Sequence, residues 1–120
     1  MKMDGYFNAR GEPVIRLDAG SSSIEVLVDT GSNAGLLIPD QMAEGLDIKR
    51  NRGLEELYTA TGEMFLASSC SMEIRWLGKR VRVPVATCAE VKEAILGGQM
   101  LKDCCLTIDY GRRTVVIDES

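Results

Sequence analysis

The sequence predicts a mainly β domain, a barrel-like or orthogonally packed sheet with one or two short helices. Three observations point there. Apolar residues recur at every second position in several stretches, glycine-bearing turns separate those stretches, and segments that suit a helix are few and short.

The first clear strand is 22–28, where Ile24, Val26 and Val28 alternate with Ser23, Glu25 and Leu27. A period of two sends the first set to one face, the signature of a half-buried strand. A short apolar strand, Leu36-Leu37-Ile38, follows a turn of small residues. Pro39 and Asp40 then stand where a helix starts and Gly45 where it stops, which allows one or two turns. Met72, Ile74 and Trp76 resume the alternation. Beyond Leu77-Gly78, Val81, Val83 and Val85 oppose Arg80, Arg82 and Pro84, so the two runs read as a hairpin. Residues 98–103, with Met100 and Leu101 facing inward, suggest a second short helix. Residues 106–109 and 114–117, joined through Tyr110-Gly111-Arg112-Arg113, read as another hairpin.

A chain of 120 residues suits one domain, 1–120, with a single core and hence a single site. Its 45% hydrophobic and 27% charged residues are the balance of a globular protein. The net charge of −4 and the scattered basic residues argue against a nucleic-acid partner. The densest basic group, Arg75 to Arg82, alternates with apolar residues as a solvated sheet face does. No apolar run approaches the roughly 20 residues that span a bilayer, and Met1–Gly5 carry no export signal, so no membrane partner and a cytoplasmic location are expected. Cys70, Cys88, Cys104 and Cys105 contain no C-x-x-C pair, and there is no histidine to complete a zinc set. Free thiols in a reducing compartment, with neither metal nor cofactor, are the expectation.

Chemistry concentrates in Val26-Leu27-Val28-Asp29-Thr30-Gly31-Ser32, followed by Asn33-Ala34-Gly35 and the strand Leu36-Leu37-Ile38. An apolar strand delivers an acid into a turn of small residues. A carboxylate there is poorly solvated unless donors surround it, and the amides and hydroxyls of Thr30, Gly31 and Ser32 can supply them. Asp-Thr-Gly alone is also an ordinary turn sequence. In this context the segment resembles the active-site loop of aspartic peptidases.

Two further stretches fit that resemblance in the same order along the chain. Ile95-Leu96-Gly97 and Gln99-Met100-Leu101-Lys102 resemble the apolar-apolar-Gly element and following helix of retropepsins, which cross under the active-site loop. Read by themselves they are a buried strand and a glycine turn, and the G-x-G-x-x-G spacing of a dinucleotide site is absent. Between the two lies 54–66, where Thr59-Ala60-Thr61-Gly62 resembles the flap of bacterial and archaeal retropepsin-like peptidases more than the glycine-rich viral flap. Without its neighbours this would be a surface hairpin. The resemblance covers about Pro13 to Ile117 and implies a retropepsin-like acid protease barrel, one lobe per chain.

It also implies an aspartic endopeptidase. Such enzymes need two facing carboxylates sharing a proton, since like charges about 3 Å apart cannot both ionise. This sequence holds one Asp-Thr-Gly. The resemblance therefore implies a homodimer, with Asp29 of each copy meeting at a twofold axis and a peptide or protein substrate lying across it. Thr30 would join the two loops through its hydroxyl, and Gly31 would leave room for the substrate backbone. Ser32, where many retropepsins have Ala, would hydrogen-bond the outer carboxylate oxygens. Ala60, Thr61 and Gly62 would approach the peptide from the flap tip. Ile95, with Leu36, Leu37, Ile38 and Leu96, would either wall the pocket or belong to the core. The competing expectations are a retropepsin-like module that dimerises or binds peptides without cutting them, and a small β domain with an incidental Asp-Thr-Gly.

Overall fold

The period-two stretches become strands of one continuous sheet. The computed structural model describes residues 1–58 and 61–119, apart from the Arg52 side chain. Within them the strands are β1 (Lys2–Phe7), β2 (Pro13–Ala19), β3 (Ser22–Val28), β4 (Leu36–Pro39), β5 (Lys49–Tyr58), β6 (Met64–Trp76), β7 (Lys79–Cys88), β8 (Ile95–Leu96), β9 (Cys104–Asp109) and β10 (Thr114–Glu119). One helix, α1 (Asp40–Ala43), follows β4 directly. Across the sheet the order is β5-β6-β7-β4-β8-β3-β2-β1-β10-β9.

The alternation decides which side chains go inside. In β3, Ile24, Val26 and Val28 are buried; in β7, Val83 and Val85 are buried while Arg80, Arg82 and Pro84 face out. Ile15 and Leu17 of β2 and Ile117 of β10 meet Met72 and Ile74 of β6 in one apolar cluster. These strands are distant in the sheet order, so the sheet must curl over to bring them together, as the expected barrel-like packing requires.

Both expected hairpins form. Trp76 pairs with Lys79 across Leu77-Gly78, whose φ angles of 51° and 80° give the left-handed pair of a type I′ turn. β9 and β10 pair from Thr114↔Asp109 to Glu119↔Cys104. The short β8 lies between β3 and β4, parallel to the first (Val28↔Leu96) and antiparallel to the second (Leu36↔Leu96). This is the crossing beneath the Asp-Thr-Gly loop that the resemblance implies.

Residues 98–103 depart from the helical expectation and form overlapping turns. Met100 and Leu101 donate to Gly97 and Gly98, three residues back, instead of four. Asp103 then enters the left-handed region at φ 64°, which ends the run. β1 and β10, the first and last strands, lie inside the sheet. β1 pairs with β10 from Lys2↔Asp118 to Gly5↔Val115, then with β2 at Tyr6↔Val14 and Phe7↔Pro13. β5 and β9 are left as the two edges.

Candidate active site

Asp29 follows the last residue of β3, and its backbone N–H donates to the Leu96 carbonyl of β8 at 2.9 Å. The carboxylate folds back on its own turn: Oδ1 accepts the Gly31 N–H at 3.0 Å, and the Asp29 carbonyl accepts the Ser32 N–H at 3.2 Å. Asp29 is half-buried, while Thr30 and Gly31 beside it are exposed. A carboxylate held by a backbone amide keeps its direction, and exposed neighbours leave it approachable.

The loop rests on the segment after β8. The N–H groups of Gly97, Gly98 and Gln99 donate to the carbonyls of Gly35 (2.8 Å), Ser32 (3.0 Å) and Ala34 (3.2 Å). This approach requires glycine at 97, because a Cβ there would run into the Ala34 carbonyl and come within 3.0 Å of the Ser32 oxygen. Ser32 is buried, and its hydroxyl oxygen accepts the Ala34 N–H at 3.2 Å. In this structure its hydroxyl thus serves the loop's own turn.

Above the loop stands the hairpin of β5 and β6, paired through Glu56↔Leu66, Leu57↔Phe65 and Tyr58↔Met64. Its inner face is apolar: Leu57 and Phe65 pack with Ala34, Leu37, Ala86, Cys88, Val91 and Ile95. Its outer face exposes Leu54, Tyr58, Met64 and Leu66. Thr61 and Gly62, in the turn, are exposed, with Gly62 at φ 90°. Ala60, also expected at the tip, lies outside the described residues. A cleft of about 610 Å³ opens between Glu63–Leu66 of the hairpin and Glu90–Val91 of the loop after β7.

That loop is tethered at its far end. The Arg10 guanidinium bridges Glu12, at 2.7 Å, and Glu93. The Asn8 amide and then Arg10 hold the Glu12 carboxyl below the usual range. At the near end the Cys88 thiol donates to Glu90 Oε2 at 3.0 Å. Burial, followed by the Glu90 bond, pushes this thiol up.

The expected site residues thus divide into groups. Asp29, Thr30, Gly31 and Ser32 share the loop. Ile95 is half-buried and joins the apolar cluster beneath the hairpin, whereas Leu36, Ile38 and Leu96 belong to the main core. Leu37, also buried, packs under the hairpin with Ile95. Sequence reasoning missed Asn33, whose Oδ1 accepts the Tyr58 backbone N–H at 2.9 Å and ties the hairpin to the loop. Its only signal was position, a polar side chain just past Asp-Thr-Gly-Ser. Among the described residues, no three His, Cys, Asp or Glu side chains converge as metal ligands would, and no helix is long and apolar enough to cross a membrane.

Solved structures share this architecture. A retropepsin-like aspartic protease from Rickettsia conorii superposes with a TM-score of 0.68 at 17% identity, covering 99% of this chain and 91% of its own. The EIAV protease complexed with the inhibitor HBY-793 gives a TM-score of 0.58 at 18% identity, over 81% of this chain and 91% of its own. No family model matches the sequence, and no curated protein matches it. The chain has the retropepsin-like aspartic protease fold.

Proposed function

We propose that the protein is an aspartic endopeptidase that works as a homodimer, one domain of residues 1–120 per protomer, with Asp29 of each copy forming a shared catalytic pair. One observation carries this reading. Asp29 stands on a loop suspended between β3 and β4, braced by β8 and covered by a hairpin, in the fold of known aspartic proteases.

The chemistry follows from two carboxyls holding one proton. The ionised Asp29 removes a proton from a water held between the pair, and the water oxygen attacks the scissile carbonyl carbon. The protonated Asp29 of the second copy gives its proton to the carbonyl oxygen, producing a tetrahedral diol. On collapse, a carboxylate takes back a hydroxyl proton, the nitrogen receives a proton from the other carboxyl, and the C–N bond breaks. No residue is consumed. Exposed Thr30 and Gly31 are where a second loop and the substrate backbone approach, and the hairpin excludes bulk water. The four cysteines are free, which supports a reducing, cytoplasmic setting.

The test is a mixed peptide library incubated with wild-type protein and with Asp29→Asn, products being read by mass spectrometry. Cleavage by the first and none by the second is expected. Equal cleavage by both would refute the assignment, and peptide binding without products at any pH would point to a binding module instead.

A further inference from the structure

β5 is an edge strand, so amides on its outer side have no strand to pair with. The amide of its last residue, Tyr58, is satisfied by a side chain: Asn33 Oδ1, at 2.9 Å. Asn33 lies on the Asp29 loop, two residues beyond Gly31. The amides of Gly97, Gly98 and Gln99 fix that loop from below. Those bonds hold Ser32, Ala34 and Gly35, which flank the acceptor, and the Ser32 N–H in turn donates to the Asp29 carbonyl. Tyr58 lies opposite Met64, the last pair of the β5–β6 ladder.

We infer that Asn33 is the positioning residue of the hairpin, the group that holds it in register over Asp29. The apolar cluster of Leu57 and Phe65 on Ala34, Leu37 and Ile95 keeps the hairpin close. The ladder from β6 to β7 fixes β6 only from Ser68 onward; beyond it, apolar contact is non-directional and allows sliding. A single hydrogen bond from a fixed acceptor supplies direction. Asn33 does not touch the reacting atoms; it acts through Tyr58. The kinetic consequence rests on the peptidase reading, since a hairpin held in register closes over a peptide with less reordering. The structural consequence does not depend on that reading.

Two variants separate acceptor from shape. Asn33→Leu keeps the size and removes the oxygen, whereas Asn33→Asp keeps an acceptor oxygen. Residue-resolved hydrogen exchange on the whole protein should show the Tyr58 amide exchanging about tenfold faster in Asn33→Leu and within about twofold of wild type in Asn33→Asp, with β2 and β3 unchanged. In a cleavage assay, Asn33→Leu should raise KM about fivefold with kcat within about twofold, and Asn33→Asp should restore KM. Unchanged exchange at Tyr58 in Asn33→Leu would overturn the inference, as would a fall in kcat with KM unaltered. If none of the three proteins cleaved peptide, the peptidase reading would fail, and the exchange comparison would still decide the role of Asn33.

Discussion

Gly97 lies directly beneath Ala34, so close that a Cβ on it would meet the Ala34 carbonyl carbon at 3.0 Å and its oxygen closer still. The obstruction is backbone on both sides, and no side chain can swing away to relieve it. Gly97→Ala should therefore push the Asp29 loop off its support and destabilise the protein by about 2–3 kcal/mol. Gly98 is the control: its Cβ would sit 3.5 Å from the Ser32 oxygen, an ordinary contact. A urea midpoint lowered by the first substitution and barely moved by the second is the expected result.

Asp29→Asn should leave the fold intact and remove cleavage. An amide oxygen can accept the Gly31 N–H as Oδ1 does now, so the turn persists and the melting temperature should change little. Loss of the group that moves the proton should lower kcat by roughly a thousandfold. Circular dichroism and a peptide assay on one preparation check both halves.

Cleavage that needs two copies of Asp29 has a characteristic dependence on concentration. Specific activity should hold at high protein concentration and fall steeply once dilution separates the copies. A dilution series with one fluorogenic peptide measures this directly. Rates strictly proportional to protein over the whole range would place the chemistry within a single chain.

The thiols should differ in reactivity. Cys105 is exposed on β9, whereas Cys70 and Cys88 are buried. Burial, aided by Glu90, raises the Cys88 thiol, and burial with Asp103 and Glu119 raises that of Cys104. At pH 8 an alkylating reagent should label Cys105 first, as mass mapping of early products will show. The same shifts link to stability. A thiol raised in the folded state leaves stability intact below the ordinary thiol pKa, and that stability is lost as pH rises toward the folded value. The urea midpoint should accordingly decline on the alkaline side, less so in Cys88→Ala.

The period-two patterns of this fold are legible in the sequence. Alternation gave β3, β6 and β7, the Leu77-Gly78 turn gave its hairpin, and Asp29 with Ile95-Leu96-Gly97 marked the loop and its crossing strand. The helix expected over 98–103 did not form. Met100 and Leu101 are suitably placed, but the amides of Gly97 to Gln99 bond to the loop above, and Asp103 turns left-handed. β1 left little trace, because Gly5 interrupts its alternation and most of it pairs with β10, more than a hundred residues away. Asn33 was invisible for a related reason. Its importance depends on Tyr58, which reaches it only after the hairpin has folded over the loop.

Lys2–Gly5 run alongside Val115–Asp118 of the same chain. The first and last strands of the fold are thus paired within one chain. For the proposed homodimer, folding of each copy and pairing of the two copies should then be separable in measurement. A compound that blocked the proposed pairing should leave ordered single copies in solution, not denatured protein.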